Sequence, residues 1–167
     1  MSRLTDLATD LDVEFDRLLQ AQDADEQRRA LRNVLEILYS LRCHREEHTH
    51  PSPSAYRSRA SVCHGGRVTE GIILLRGQMM HKVTKRFDPE KRGLYPGPKT
   101  YPGKCTFPGS NLTWLHPQEM PDRMPPEVVN DVRYGAYVAD VSGRPVLETL
   151  QIAKDFLVND PVLGPLP

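Results

Sequence analysis

The stretch Val68-Thr-Glu-Gly-Ile-Ile-Leu-Leu-Arg-Gly-Gln-Met-Met-His-Lys-Val83 decides the fold class. Val68, Ile72, Leu75, Met79 and Val83 recur at helical spacing and form one apolar stripe. Ile73, Leu74 and Met80 lie off that stripe, so the helix is apolar on more than one side. Such a helix is either central in a bundle or part of a partner interface. The pattern predicts that it starts near Val68 and ends before Asp88-Pro89.

The flanking segments supply the rest of the bundle. Upstream, Leu4, Leu7, Leu11, Phe15 and Leu18 form one face of a first helix, opposite the acidic Asp10, Asp12, Glu14 and Asp16. Asp23 with Glu26 three residues on reads as a capping box. It opens a second helix to about Arg45, faced by Leu31, Leu35 and Leu38 and widened by Val34, Ile37 and Leu41. The short link between these two helices predicts an antiparallel hairpin. Residues 48–66, with Pro51, Pro53, four serines and Gly65-Gly66, read as a flexible loop.

Downstream, residues 89–126 hold 9 of the 15 prolines. The triplets Tyr95-Pro-Gly, Tyr101-Pro-Gly and Phe107-Pro-Gly repeat every six residues. Pro-Gly fits the central positions of type II turns, so a chain of turns is expected here. Asn111–Leu115 reads as a short extended piece. A helix from Glu127 to about Val141 is expected next, with Gly143 at its C-cap. A last helix follows, with Pro145 in its first turn and with Val146, Leu150, Ala153 and Leu157 inward and Phe156 alongside. Asp160-Pro161 ends it. The prediction is one mainly α domain spanning 1–167: a bundle of four to five helices with a long Pro/Gly-rich irregular insertion between the third and fourth.

Length and charge bound the function. A chain of 167 residues can bury one core without staples. No apolar run reaches the roughly 18 residues of a membrane helix. Three cysteines, Cys43, Cys63 and Cys105, with no apolar leader at Met1–Asp6, predict a cytoplasmic protein with reduced thiols. The 22 basic and 22 acidic side chains cancel, but residues 61–104 carry a net charge of +6 while both ends are acidic. That basic middle either attracts phosphate or pairs with the acidic ends.

Within the decisive helix, Arg76 and His81 stand five residues apart. This pair on a helix of an all-helical bundle resembles the HEPN superfamily (higher eukaryotes and prokaryotes nucleotide-binding). The resemblance implies RNA binding or a metal-independent endoribonuclease, formed where two such helices meet in a homodimer. It also implies a toxin or phage-defence context. It makes Arg76 the phosphate clamp, His81 the proton-transfer residue and Glu70 a looser acidic match. Gly77 follows the arginine where the family often carries a polar residue. A mid-helix glycine costs about 1 kcal/mol relative to alanine and implies close approach by another element.

The chemistry suits RNA, which carries its own 2′-hydroxyl nucleophile. Imidazole transfers protons near neutrality, and a guanidinium fork grips phosphate oxygens. Similar Arg-to-His spacings occur at Arg42/His48, Arg45/His50, Arg57/His64 and Arg59/His64, but only Arg76/His81 lies in a strongly patterned helix. Cys43, His44, His48, His50, Cys63 and His64 are six candidate zinc ligands without paired Cys-x-x-Cys spacing. No metal or cofactor is therefore assigned. The aromatic-Pro-Gly ladder with Lys99, Lys104 and Trp114 either stacks bases or anchors an irregular segment. The rival functional reading is a non-enzymatic interaction protein, an antitoxin, exclusion or regulatory partner. It would dock through the apolar third helix.

Overall fold

The computed structural model describes residues 3–48, 52–76, 84–86, 112–120 and 126–163. The chain is mainly helical. Helix α1 (Arg3–Gln20) and helix α2 (Ala24–His48) form the expected antiparallel hairpin. Leu4, Leu11, Phe15 and Leu18 of α1 are buried against Leu31, Val34, Leu35, Leu38 and Leu41 of α2. Asp23 Oδ1 accepts the amides of Asp25 and Glu26, both at 2.8 Å. Glu26 Oε2 accepts the amide of Gln22 at 2.9 Å, so the return bond of the box falls one residue before the cap. The amides of Glu26 and Asp25 also hold the Asp23 carboxyl below its ordinary pKa. Helix α2 runs three residues past the expected Arg45.

The loop expected at 48–66 is corrected. Helix α3 (Pro53–Val62) occupies most of it, followed after a bend at Cys63 by helix α4 (His64–Arg76). Proline at the first helical position is compatible with a helix start, because its missing N–H has no intrahelical partner there. Only Tyr56 and Ala60 of α3 are buried, and ion pairs supply much of the rest of its attachment. Arg59 donates to Asp160 (2.8 Å), and Arg57 pairs with Glu46 of α2.

Helix α4 is the centre of the molecule. Val68, Ile72, Ile73, Leu74 and Leu75 are all buried, so its several apolar sides face other parts of the same chain. It starts four residues before the expected Val68. It cannot extend to Asp88, because Thr84–Arg86 form strand β1. Strand β1 pairs antiparallel with β2 (Leu112–Trp114), with Thr84 opposite Trp114. The extended piece around Leu112–Leu115 is thus borne out. Most of the expected Pro/Gly-rich insertion, with its Pro-Gly turns, lies outside the described residues.

The single helix expected from Glu127 to Val141 is also corrected. It is broken into α5 (Pro126–Val129), α6 (Val132–Ala136) and a π-helical segment, Tyr137–Val141. Asp131 breaks it by capping α6, its side chain accepting the Arg133 amide at 2.8 Å. Gly71 of α4 lets this segment come close. A Cβ there would lie 2.9 Å from the Tyr137 backbone, well inside contact distance. Gly143 ends the π segment with φ of +74°, the left-handed conformation a C-cap glycine provides. Helix α7 (Val146–Asn159) then buries Val146, Leu150, Ala153, Phe156 and Leu157, as expected. Trp114, fully buried, donates Nε1–H to Thr149 Oγ1 (2.6 Å), fastening β2 to α7.

Candidate functional site: an arginine-lined cavity

A cavity of about 410 Å³ opens between α2, α3, α4, α6 and the π segment. Arg42, Arg57, Arg67 and Arg133 line it together with Glu70 and Asp140. Its apolar wall comes from Ala60, Val132, Ala136 and Ala139. Four guanidinium groups face it, each paired with a carboxylate: Glu46 and Glu70 for Arg42, Glu46 for Arg57, Asp140 for Arg67 and Asp131 for Arg133.

Two polar clusters organise the cavity. In the first, Glu70 accepts Arg42 Nε–H at 3.1 Å and the Tyr56 hydroxyl at 3.1 Å. Arg42 also pairs with Glu46, which in turn holds Arg57. Burial works against the Arg42 charge, but the neighbouring Glu70 carboxylate outweighs it and holds the guanidinium above its ordinary pKa. Burial, then the negative charge of Glu70, raises the Tyr56 phenol and keeps it a neutral donor. Arg133, bonded to Asp131, is likewise raised.

The second cluster is built by the π segment. Asp140, buried at 8 % exposure, accepts Arg67 Nε–H at 3.0 Å through Oδ2. Its Oδ1 lies 3.2 Å from His64 Nδ1. The added residue of a π turn changes which side chains face a neighbour, and such turns are frequent at functional sites. An Nδ1–H donated to Asp140 leaves His64 Nε2 as the basic nitrogen of a half-exposed ring. A carboxylate that orients an imidazole beside cationic side chains is a suitable arrangement for moving a proton near a phosphate.

The residues expected from sequence fall differently. Glu70 lies in the cavity, in the Arg42–Tyr56 cluster. Arg76 does not: its guanidinium bonds Glu36 (2.8 Å) and lies 3.9 Å from the Tyr39 ring centroid on α2. The bond to Glu36 raises its pKa. Nine positions from Arg67, it points to the opposite face of α4, about 13 Å further along the axis. His81 lies outside the described residues, so its relation to Arg76 is not part of this geometry. Sequence reading missed Arg42, Arg67, Arg133 and Asp140 as site residues. The Arg42/His48 and Arg57/His64 spacings and the acidic match at Glu70 were the signals that touched the cavity. No protein-family model, curated protein or solved structure matches the chain. Among the described residues no helix is long and apolar enough to cross a membrane.

Proposed function

We propose that this chain is a HEPN-like RNA-binding protein that uses the arginine-lined cavity to hold a backbone phosphate and cleaves RNA there without a metal ion. The observation that supports it is Asp140, which lines the cavity with four arginines and bonds both Arg67 and, beside the cavity, His64. In this reading His64 Nε2 takes the proton of the 2′-hydroxyl as its oxygen attacks phosphorus. The bond from phosphorus to the 5′-oxygen then breaks, and that oxygen receives a proton. The products are a 2′,3′-cyclic phosphate and a free 5′-hydroxyl. Arg57, the most exposed of the four, and Arg67, which shares Asp140 with His64, would stabilise the charge that builds on the phosphate oxygens. Homodimerisation, and a role for Arg76 and His81 at a dimer interface, remain proposals carried by the resemblance alone.

The rival reading as an interaction protein gains no exposed apolar face from α4, since Ile73 and Leu74 are only 4 % and 6 % exposed. Binding of single-stranded RNA across a salt series tests the site. Each phosphate contact contributes about 0.7 to the slope of log affinity against log salt on a single strand. Arg57→Ala and Arg67→Ala should each weaken binding and flatten that slope by roughly this amount. Wild-type protein with no salt-dependent affinity for RNA would remove the proposal.

A further inference from the structure

We infer that the C-terminal end of α2 is a zinc-class metal site formed by His44, Glu47 and His48. These residues stand at i, i+3 and i+4, which a helix places on one face. Their donor atoms all lie within 4.8 Å of one another. A tetrahedral ion with bonds of 2.0–2.1 Å needs donors about 3.3 Å apart, so side-chain adjustments of about 1 to 1.5 Å close the set. The two imidazole rings are nearly parallel, 15° apart, with centroids separated by 5.5 Å.

A second observation concerns His44 itself. His44 Nδ1 is buried and has no hydrogen-bond partner among the described residues. A buried ring nitrogen that the fold leaves unused is costly. Glu47 is exposed and forms no ion pair among the described residues. Two imidazoles and a carboxylate suit zinc and its neighbours better than calcium or magnesium, which prefer all-oxygen sets. Three protein donors leave a fourth position for water.

The site is separate from the arginine-lined cavity. His44 lies two positions from both Arg42 and Glu46, about 160° round the helix. It can therefore be tested independently of RNA chemistry.

Titration of the full, metal-free chain with Zn²⁺ alone should show one saturable equivalent and a rise in Tm, because an ion that binds only the folded state stabilises it. His48→Ala changes an exposed residue and should fold normally by circular dichroism. It should weaken Zn²⁺ binding by at least the roughly 10- to 100-fold that loss of an outer-shell partner costs, and it should abolish the Tm rise. Cys43→Ser, which alters a neighbouring thiol outside the set, should keep both. Absence of saturable binding in the wild type would overturn the inference. So would binding that His48→Ala leaves unchanged, or binding that Cys43→Ser removes.

Discussion

Arg45 is the least expected residue of the core. It is 3 % exposed, yet its guanidinium donates to the carbonyls of Leu157 (2.5 Å) and Val158 (3.1 Å) in the last turn of α7 and of Leu163 (3.4 Å) in the turn beyond it. The first two are carbonyls that a helix leaves without intrahelical partners, and Arg45 serves as their cap from another helix. Burial lowers its pKa, a cost accepted for this contact. Arg45→Met should lose about 2–4 kcal/mol in urea unfolding, because it leaves buried carbonyls unpaired. A loss below about 1 kcal/mol would show that water replaces the guanidinium freely.

Asp160 works beside it. Burial pushes its carboxyl up, but the Arg59 guanidinium and the amides of Val162 and Leu163 outweigh burial, so the net shift is downward. A carboxyl whose folded pKa is depressed adds stability above its unfolded value, about 3.9, and that stability is lost as pH falls through the folded value. The stability gap between wild type and Asp160→Asn should therefore be constant above about pH 5 and shrink below about pH 4. A gap that does not narrow in acid unfolding curves would contradict the assignment of this ion pair.

At the scale of elements, Gly71 and the π segment are the sensitive contact. Gly71→Ala forces a Cβ to 2.9 Å from the Tyr137 backbone and from Val141 Cγ2. Neither atom is the free end of a long side chain. The expected loss is about 1–3 kcal/mol, measured by thermal or urea unfolding, and a neutral effect would mean that the segment packs less closely. The same displacement should move Asp140 away from His64, so any activity should fall further than stability alone accounts for.

Elements with strong periodicity were legible in the sequence. The leucine stripes of α1 and α2, the many-sided α4 as far as Leu75 and the inward face of α7 folded as their spacing predicts, whereas the expected continuation of α4 towards Asp88 gives way to β1. Helix α3 was not legible, because Pro53, its serines and only two buried residues give no apolar period. It is held by buried Tyr56 and Ala60 and by Arg57 and Arg59 reaching partners on α2 and after α7, contacts that no local pattern encodes. The break at Asp131 was also missed. Asn130-Asp131 was a cap signal inside a segment read as one helix on its apolar content, and it showed only when the Asp131 side chain was seen capping a new helix.

At the scale of the whole molecule, charge is arranged by topology. The basic middle of the chain partly pairs with the acidic C-terminal part, as in Arg67–Asp140, and Arg59 just before it pairs with Asp160. It also contributes Arg67 to a cavity whose other cations come from α2, α3 and α6. Residues 42, 57, 67, 133 and 140 share no spacing, so the site could not be read from sequence. Among the described residues only Glu70 of the expected catalytic set lines it, and His64, bonded to Asp140 beside it, was visible only as one of several Arg-to-His spacings and one of several candidate zinc ligands.

The most direct measurement is cleavage of a single-stranded RNA by wild type, His64→Ala and His81→Ala in EDTA, beside an oligonucleotide lacking the 2′-hydroxyl. The account predicts that wild type yields 2′,3′-cyclic phosphate ends and leaves the 2′-deoxy strand intact. His64→Ala should still bind RNA but lose at least the roughly hundredfold that a general base supplies. Equal cleavage by wild type and His64→Ala, or none by either, would contradict it.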